Sequence, residues 1–200
     1  MKKILCVAFL CLSSVTTYAQ SAKEMLLEIE NKWELDDNNN VTFSRVVDVP
    51  NLNKDEIFNR VLSFFTYNYV SGKSVIQIQD KEAGLVVGKG VYDNVHIGYS
   101  IVTTYVDAWH ILRVDVKEGK ARVIVSLTDY EKKIEASNAP SSFSSMKIAT
   151  EYPINPKGGQ KTVMTKAFYK SYQKAYKTLD AVEKAIKEGN TSKVIENSEW

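Results

Sequence analysis

Cysteine is almost absent from this 200-residue chain. The two cysteines, Cys6 and Cys11, both lie within the first nineteen residues. The remainder contains no thiol, which excludes a disulfide scaffold, a thiolate metal site and a cysteine nucleophile from that part of the chain.

Charge of one sign is also lacking. The formal net charge is +2, and without Lys2 and Lys3 the 24 remaining basic residues balance 24 acidic residues. This balance excludes the globally basic surface that is typical of nucleic-acid binding, so we expect no nucleic-acid partner. Charges do separate locally, with five acids over residues 28–37 and eight lysines over residues 157–187. The lysines could meet an acidic partner or anionic lipid, but a solvated helix face is the favoured interpretation.

The first nineteen residues have the layout of a secretory signal peptide. Lys2 and Lys3 precede nine apolar residues, and Thr17 and Ala19 provide small residues for cleavage between Ala19 and Gln20. Nine apolar residues are too few for a membrane span, which needs about twenty. No later apolar run approaches that length, so we expect no membrane span. The sequence predicts an exported bacterial protein that is periplasmic or secreted.

Residues 41–135 show the periodicities of a mixed α+β domain, which residues 20–40 precede. Residues 20–40 predict a short helix followed by a polar linker, and a β-branched run at 41–49 predicts a strand. Asn53 and Glu56 resemble a capping box that opens a helix to about Tyr69. Alternating runs at 74–80 and 85–92, and at 111–117 and 121–130, predict two antiparallel hairpins. In the first run, Ile76 and Ile78 are expected on one face.

The second half of the chain contains one ambiguous segment, one long loop and one clear helix. Residues 93–108 fit either an extra strand or a loop that leads into a bent strand. Residues 136–161 hold five serines and three prolines without a period, which predicts a loop packed on the body of the domain. Residues 162–190 carry apolar residues at steps of three and four, which predicts a helix packed on the sheet, with a tail at 191–200.

The segment from Val41 to Tyr130 resembles a family of exported bacterial domains of unknown function with a TATA-binding-protein-like (TBP-like) fold. The resemblance rests on FSRVVDVP (43–50), NKDE (53–56), QDKEAG (79–84), GKG (88–90) and VKEGKAR (116–122). It implies a curved antiparallel sheet in the order β-α-β-β-β-β-α, with the long C-terminal helix on one face. The resemblance supplies no catalytic residues, and likeness to a DNA-bending fold is no argument for DNA binding.

Histidine is also scarce, which limits the side chains available for acid–base catalysis. Only His96 and His110 occur, there is no Gly-x-Ser-x-Gly motif, and no metal-ligand spacing is visible. We therefore expect no enzyme activity, catalytic residue, cofactor or metal site.

Aromatic residues, in contrast, are numerous, with eleven tyrosines, seven phenylalanines and three tryptophans. Exposed aromatic side chains on a rigid sheet can stack on a sugar or a peptide. The candidate binding residues are Tyr99, Trp109, His110, Phe143 and Tyr152.

Three functions remain open from the sequence. The leading hypothesis is a non-enzymatic cell-envelope domain that binds a protein or polymer through its open sheet face or the 136–161 loop. The alternative is a helix-grip carrier, in which the last helix closes the sheet over a cavity for a small apolar ligand. A hydrolytic enzyme with dispersed acid and base groups is the least favoured. The sequence does not predict the oligomeric state.

Overall fold

A computed structural model describes residues 20–69 and 75–189 of the chain. It contains the helices α1 (Ala22–Ile29), α2 (Lys54–Asn68) and α3 (Lys161–Glu188). The strands are β1 (Glu34–Leu35), β2 (Val41–Asp48), β3 (Val75–Asp80), β4 (Leu85–Tyr99), β5 (Thr103–Lys117), β6 (Lys120–Ala136) and β7 (Ala139–Lys147), and a 3-10 turn spans Ile148–Thr150. The predicted leader at 1–19 and tail at 191–200 lie outside the described residues.

The strands form one antiparallel sheet in the order β1-β2-β6-β5-β4-β3. Strand β7 also pairs with β6, on the same side as β2. Residues 120–127 of β6 pair with β2, whereas residues 129–136 pair with β7. Strands β2 and β7 therefore lie end to end along one edge of β6.

The long strands β4, β5 and β6 have 15, 15 and 17 residues. Residues 93–108, which were ambiguous in the sequence, extend β4 and β5. A bulge in β4 hides this extension in the sequence, because the three residues between Tyr92 and His96 oppose the single residue Asp107 of β5. Asn94 adopts a left-handed φ of 52° in the bulge, and its N–H donates to Asp107 at 2.6 Å. We call the end of the sheet that contains residues 91–99 of β4, 103–109 of β5, 129–136 of β6 and all of β7 the arm.

Both α2 and α3 pack on one face of the sheet, which we call the inner face. Residues Leu112, Val114 and Val116 of β5 are buried there, and so are Val123, Val125 and Leu127 of β6. Helix α3 buries the apolar stripe Phe168, Tyr172, Ala175, Leu179, Val182 and Ile186. The predicted helix and the predicted alternation of these strands are confirmed.

Helix α2 begins at its expected cap, but the capping box is incomplete. The Asn53 side chain accepts from the Glu56 N–H at 2.8 Å. The Glu56 carboxylate instead accepts from Arg60 at 2.7 Å. A complete capping box occurs at α1, between Ser21 and Glu24.

Three local expectations need correction. In residues 20–40 the expected helix is present as α1, but strand β1 precedes the polar run 36–40, in which Asp36 accepts the N–H groups of Asn38 and Asn40 in a tight turn. Ile76 and Ile78 do not share a face, because a bulge between them pairs one with Gly88 and the other with Val87.

The 136–161 segment is not a structureless loop. Its first half is strand β7, in which only Met146 is partly buried. Its sequence lacks a hydrophobic period because the strand is held by backbone pairing at a sheet edge. The second half does pack on the body, since Ile148 is buried and both Tyr152 and Ile154 contact the core.

Candidate functional site

The face of the sheet opposite α2 and α3, which we call the outer face, carries rows of cross-strand side chains. A row of cross-strand neighbours runs from Ile78 through Val87 and Arg113 to Ile124. The apolar members of this row line a groove of about 570 Å³ beside the β1–β2 turn, together with Ile111.

Charged residues on this part of the outer face form a ladder across β5 and β6. Asp115 accepts from Arg113 at 2.7 Å and from Arg122 at 3.0 Å. Partial burial opposes ionisation of Asp115, but hydrogen bonds from these two guanidinium groups hold its pKa below the usual value. The carboxylate is therefore ionised and committed to its neighbours at neutral pH.

The arm continues the outer face with aromatic residues. Trp109, Tyr105 and Tyr99 lie on this face, and Phe143 of β7 lies in the same row as Tyr105, separated from it by Lys133. Tyr99 is 80% exposed and Phe143 is 65% exposed. The predicted residues Tyr99, Trp109 and Phe143 thus share one surface, which we call the aromatic surface together with Tyr105.

Polar neighbours fix the positions of Trp109 and Tyr105 within the aromatic surface. The indole N–H of Trp109 donates to Glu131 at 3.1 Å, and the Lys89 ammonium lies 4.7 Å from its ring centroid. Lys133 lies 5.5 Å from the Tyr105 ring centroid. The hydrogen bond from Tyr105 to the Glu135 carboxylate raises the pKa of Tyr105. Sequence reasoning counted Tyr105 among the aromatic residues but did not select it, because its place beside Phe143 depends on the strand register.

His110 belongs to a different environment, on the inner face. It is 3% exposed, its Nε2 lies 2.8 Å from the Tyr69 hydroxyl, and Tyr92 stacks on its ring at 3.9 Å. Burial lowers the pKa of His110 to about 3, so the imidazole is neutral at physiological pH. Its Nδ1 has no hydrogen-bond partner among the described residues. A cleft of about 260 Å³ lies beside this cluster, with Lys177 on its lining.

Tyr152 also lies away from the aromatic surface, on the helical side of the molecule. It lines an apolar groove of about 460 Å³ between α1 and the start of α3, together with Trp33 and Phe168. Lys161 stands 5.1 Å from the Tyr152 ring centroid. The five candidate residues therefore divide among three places.

The titratable residues do not converge on a metal centre within the described residues. No group of three histidine, cysteine, aspartate or glutamate side chains is arranged to hold an ion in residues 20–69 and 75–189. His96 is partly buried beside Lys166, and burial together with this charge lowers its pKa. Over the same ranges, no helix has both the length and the apolar character of a membrane span.

Comparison with known proteins identifies the architecture. Residues 43–131 match the family model described as a domain of unknown function (DUF4468) with TBP-like fold. The fold is TBP-like. The matched range is close to the segment Val41–Tyr130 that carries the resemblance in sequence, so the expected family resemblance and fold class are confirmed.

Two crystal structures have this TBP-like architecture. A TBP-like protein from Parabacteroides distasonis aligns with a TM-score of 0.57 and 14% identity, covering 78% of this chain and 98% of that one. A DUF4468 family protein from Bacteroides ovatus aligns with a TM-score of 0.52 and 13% identity, covering 82% and 94%. No curated protein matches the chain in sequence. At these identities the likeness concerns the fold alone.

Proposed function

We propose that this protein is a non-enzymatic, exported cell-envelope domain that binds a protein or polymer partner through the outer face of its sheet. The proposal rests on one observation, the aromatic surface formed by Tyr99, Tyr105, Trp109 and Phe143. Tyrosine and tryptophan are enriched among the residues that dominate binding energies, and paired strands hold them in fixed positions. The leader predicted at residues 1–19 supports export to the periplasm or beyond.

The charged residues of the outer face support binding rather than acid–base catalysis. A general acid or base needs a pKa near the working pH. Hydrogen bonds from Lys133 and Tyr105 instead lower the pKa of Glu135, and the arginine pair lowers that of Asp115. These carboxylates fix neighbouring side chains and help to present a defined polar pattern to a partner.

The packing of α3 argues against the helix-grip carrier. Such a carrier needs a cavity between its long helix and the sheet. Here Ala175, Leu179 and Val182 are 0–1% exposed on the sheet. Arg45 of β2 additionally binds Asp180 at 2.7 Å and Glu183 at 2.6 Å. Around these residues the helix packs directly on the sheet, and the space beside α3 is the cleft of about 260 Å³ near His110.

The test compares two surfaces that the sequence alone left as alternatives. The full chain would be expressed in its native cell as wild type, Trp109→Ala or Tyr152→Ala, and captured partners would be quantified by mass spectrometry. Trp109→Ala should reduce recovery of the partner about tenfold or more, the loss typical of truncating an aromatic hot spot. Tyr152→Ala should leave recovery unchanged, because Tyr152 lies on the helical side.

Unfolding curves of the two variants control for loss of structure. Retention of every wild-type partner by Trp109→Ala would remove the basis of the proposal. Loss of partners only in Tyr152→Ala would transfer the binding site to the groove between α1 and α3.

A further inference from the structure

Strand β7 is an unprotected edge of the arm. Within the described residues it pairs only with β6, so the opposite row of its backbone N–H and C=O groups has no strand partner. Residues 139–145 are all exposed. Pairing with β6 is regular over six consecutive residues, from Ser142 to Lys147, so no bulge distorts this length of the edge.

The usual protections of an edge strand are confined to the ends of β7. Proteins commonly prevent edge-to-edge pairing with charged residues, proline or bulges. Pro140 lies near the start of β7 and Lys147 at its end, and the six residues between them carry no charge. The Lys147 ammonium is already paired with Asp129 at 2.9 Å. A strand from another molecule could therefore approach residues 141–146 without meeting an unpaired charge on β7.

The sequence of this edge is self-complementary. Residues 141–145 read Ser-Ser-Phe-Ser-Ser in both directions. In an antiparallel pair centred on Phe143, that residue would face its own copy, and serine would face serine at the four flanking positions. Cross-strand aromatic pairs and hydroxyl pairs both stabilise antiparallel strands. A two-fold interface requires such a match, because the same patch serves both subunits.

The side-chain directions agree with this register. Phe143 lies on the outer face, 65% exposed, beside Lys133 of the neighbouring strand. Lys133 is itself paired with Glu135 at 2.5 Å. The two phenylalanine rings would therefore meet on the outer face, each flanked by a neutralised ion pair. Pairing would bury a large apolar side chain that the single chain leaves in water.

We infer that two copies of this chain associate through antiparallel pairing of their β7 edges, centred on Phe143, which makes one continuous sheet across the two arms. The aromatic surfaces of the copies then lie on the same side of that sheet. This inference goes beyond the proposed function and does not depend on it, since it requires only the purified chain.

A charge-swap experiment tests the pairing and its register. Sedimentation velocity of the full chain should show a monomer–dimer equilibrium between micromolar and millimolar concentration. Phe143→Lys and Phe143→Glu each place like charges opposite one another across the axis, and each should weaken the dimer at least tenfold. An equimolar mixture of these two variants should restore a dimer, because the opposed charges now attract.

Ile101→Lys serves as the matched control. Ile101 is 98% exposed in the turn between β4 and β5 and is absent from β7, so this variant should dimerise like the wild type. Circular dichroism would establish that every variant is folded. A wild type that stays monomeric at all concentrations would overturn the inference, even if the edge accepted a strand of another protein. Equal dimerisation of Phe143→Lys and Ile101→Lys, or a mixture that fails to recover the dimer, would also overturn it.

Discussion

His110 makes stability depend on pH through a single buried ring. Its pKa is about 3 in the folded protein, because burial disfavours the charged form, against an ordinary value of 6.5. The unfolded chain therefore takes up a proton first as the pH falls. The contribution of His110 to stability is fully present above pH 6.5 and is lost between pH 6.5 and about 3.

We expect His110→Phe to remove this part of the acid sensitivity. Wild type should lose about 3 kcal/mol of unfolding free energy through His110 between pH 7 and pH 4, and the variant should lack that loss. Urea unfolding at several pH values measures the difference. His96→Phe should remove a smaller part, because His96 is only partly buried. Parallel pH profiles for wild type and His110→Phe would contradict the assignment.

Gly88 is required because the ring of Phe65 packs directly on its backbone. A Cβ at this position would lie 2.6 Å from Cε1 of Phe65, and Phe65 is fully buried. Gly88→Ala should therefore lower the free energy of unfolding by about 1–3 kcal/mol, the usual effect of overpacking. Gly159→Ala is the control, since no atom lies within 4 Å of its Cβ. Equal unfolding midpoints for the two variants would show that the core accommodates the methyl group.

Single residues also show where sequence reasoning stopped. The Asn53 cap was predicted, because helix caps have a local sequence signature. The contact between His110 and Tyr69 was not, because it joins residues 41 positions apart. Alternation along β5 could place His110 and Trp109 on opposite faces, but it could not show which face the helices cover.

At the scale of elements, Arg60 of α2 forms hydrogen bonds to the C-terminal end of α3. Its Nη1 donates to the carbonyl oxygens of Ile186 and Lys187 at 2.8 and 3.0 Å, and its Nη2 binds Glu56 at 2.7 Å. A cation here satisfies carbonyl groups that have no partner within the helix and complements the helix dipole.

Replacing Arg60 should therefore destabilise the packing of α3. We expect Arg60→Ala to lower the free energy of unfolding by about 2 kcal/mol, as for the loss of charge-assisted hydrogen bonds. Lys184→Ala should change it by less than about 0.5 kcal/mol, because Lys184 is an exposed helix residue 4.0 Å from its acidic neighbour. Thermal and urea unfolding compare the two. An unchanged midpoint in Arg60→Ala would mean that apolar packing alone holds the helix end.

Elements with one buried face were readable from the sequence, whereas the edge strand β7 was not. Helix α3 and the inner strands β5 and β6 have apolar residues at the period of their structure, so burial is recorded in the pattern. Strand β7 buries almost nothing and depends on its pairing with β6, which leaves no period. The prediction that Ile76 and Ile78 share a face was wrong for a similar reason. The bulge between them depends on pairing with β4, which the local sequence does not determine.

At the scale of the whole molecule, the sheet separates two environments. Its inner face is closed by α2 and α3, and its outer face carries the groove at Ile111 and the aromatic surface on the arm. The α+β class and the element order followed from periodicity and family resemblance. The arm was not predicted, because the bulge after Tyr92 interrupts the alternation along β4 and hides that the strand continues beyond it.

Site-specific photocrosslinking tests the central claim, that the outer face binds the partner, most directly. A photoreactive side chain would replace Tyr99, which is 80% exposed on that face, or Tyr67, which is 67% exposed on α2. In native cells, irradiation should link the position 99 variant to a specific envelope protein or polymer and leave the position 67 variant unlinked. The same crosslinked species from both positions, or from position 67 alone, would contradict the claim.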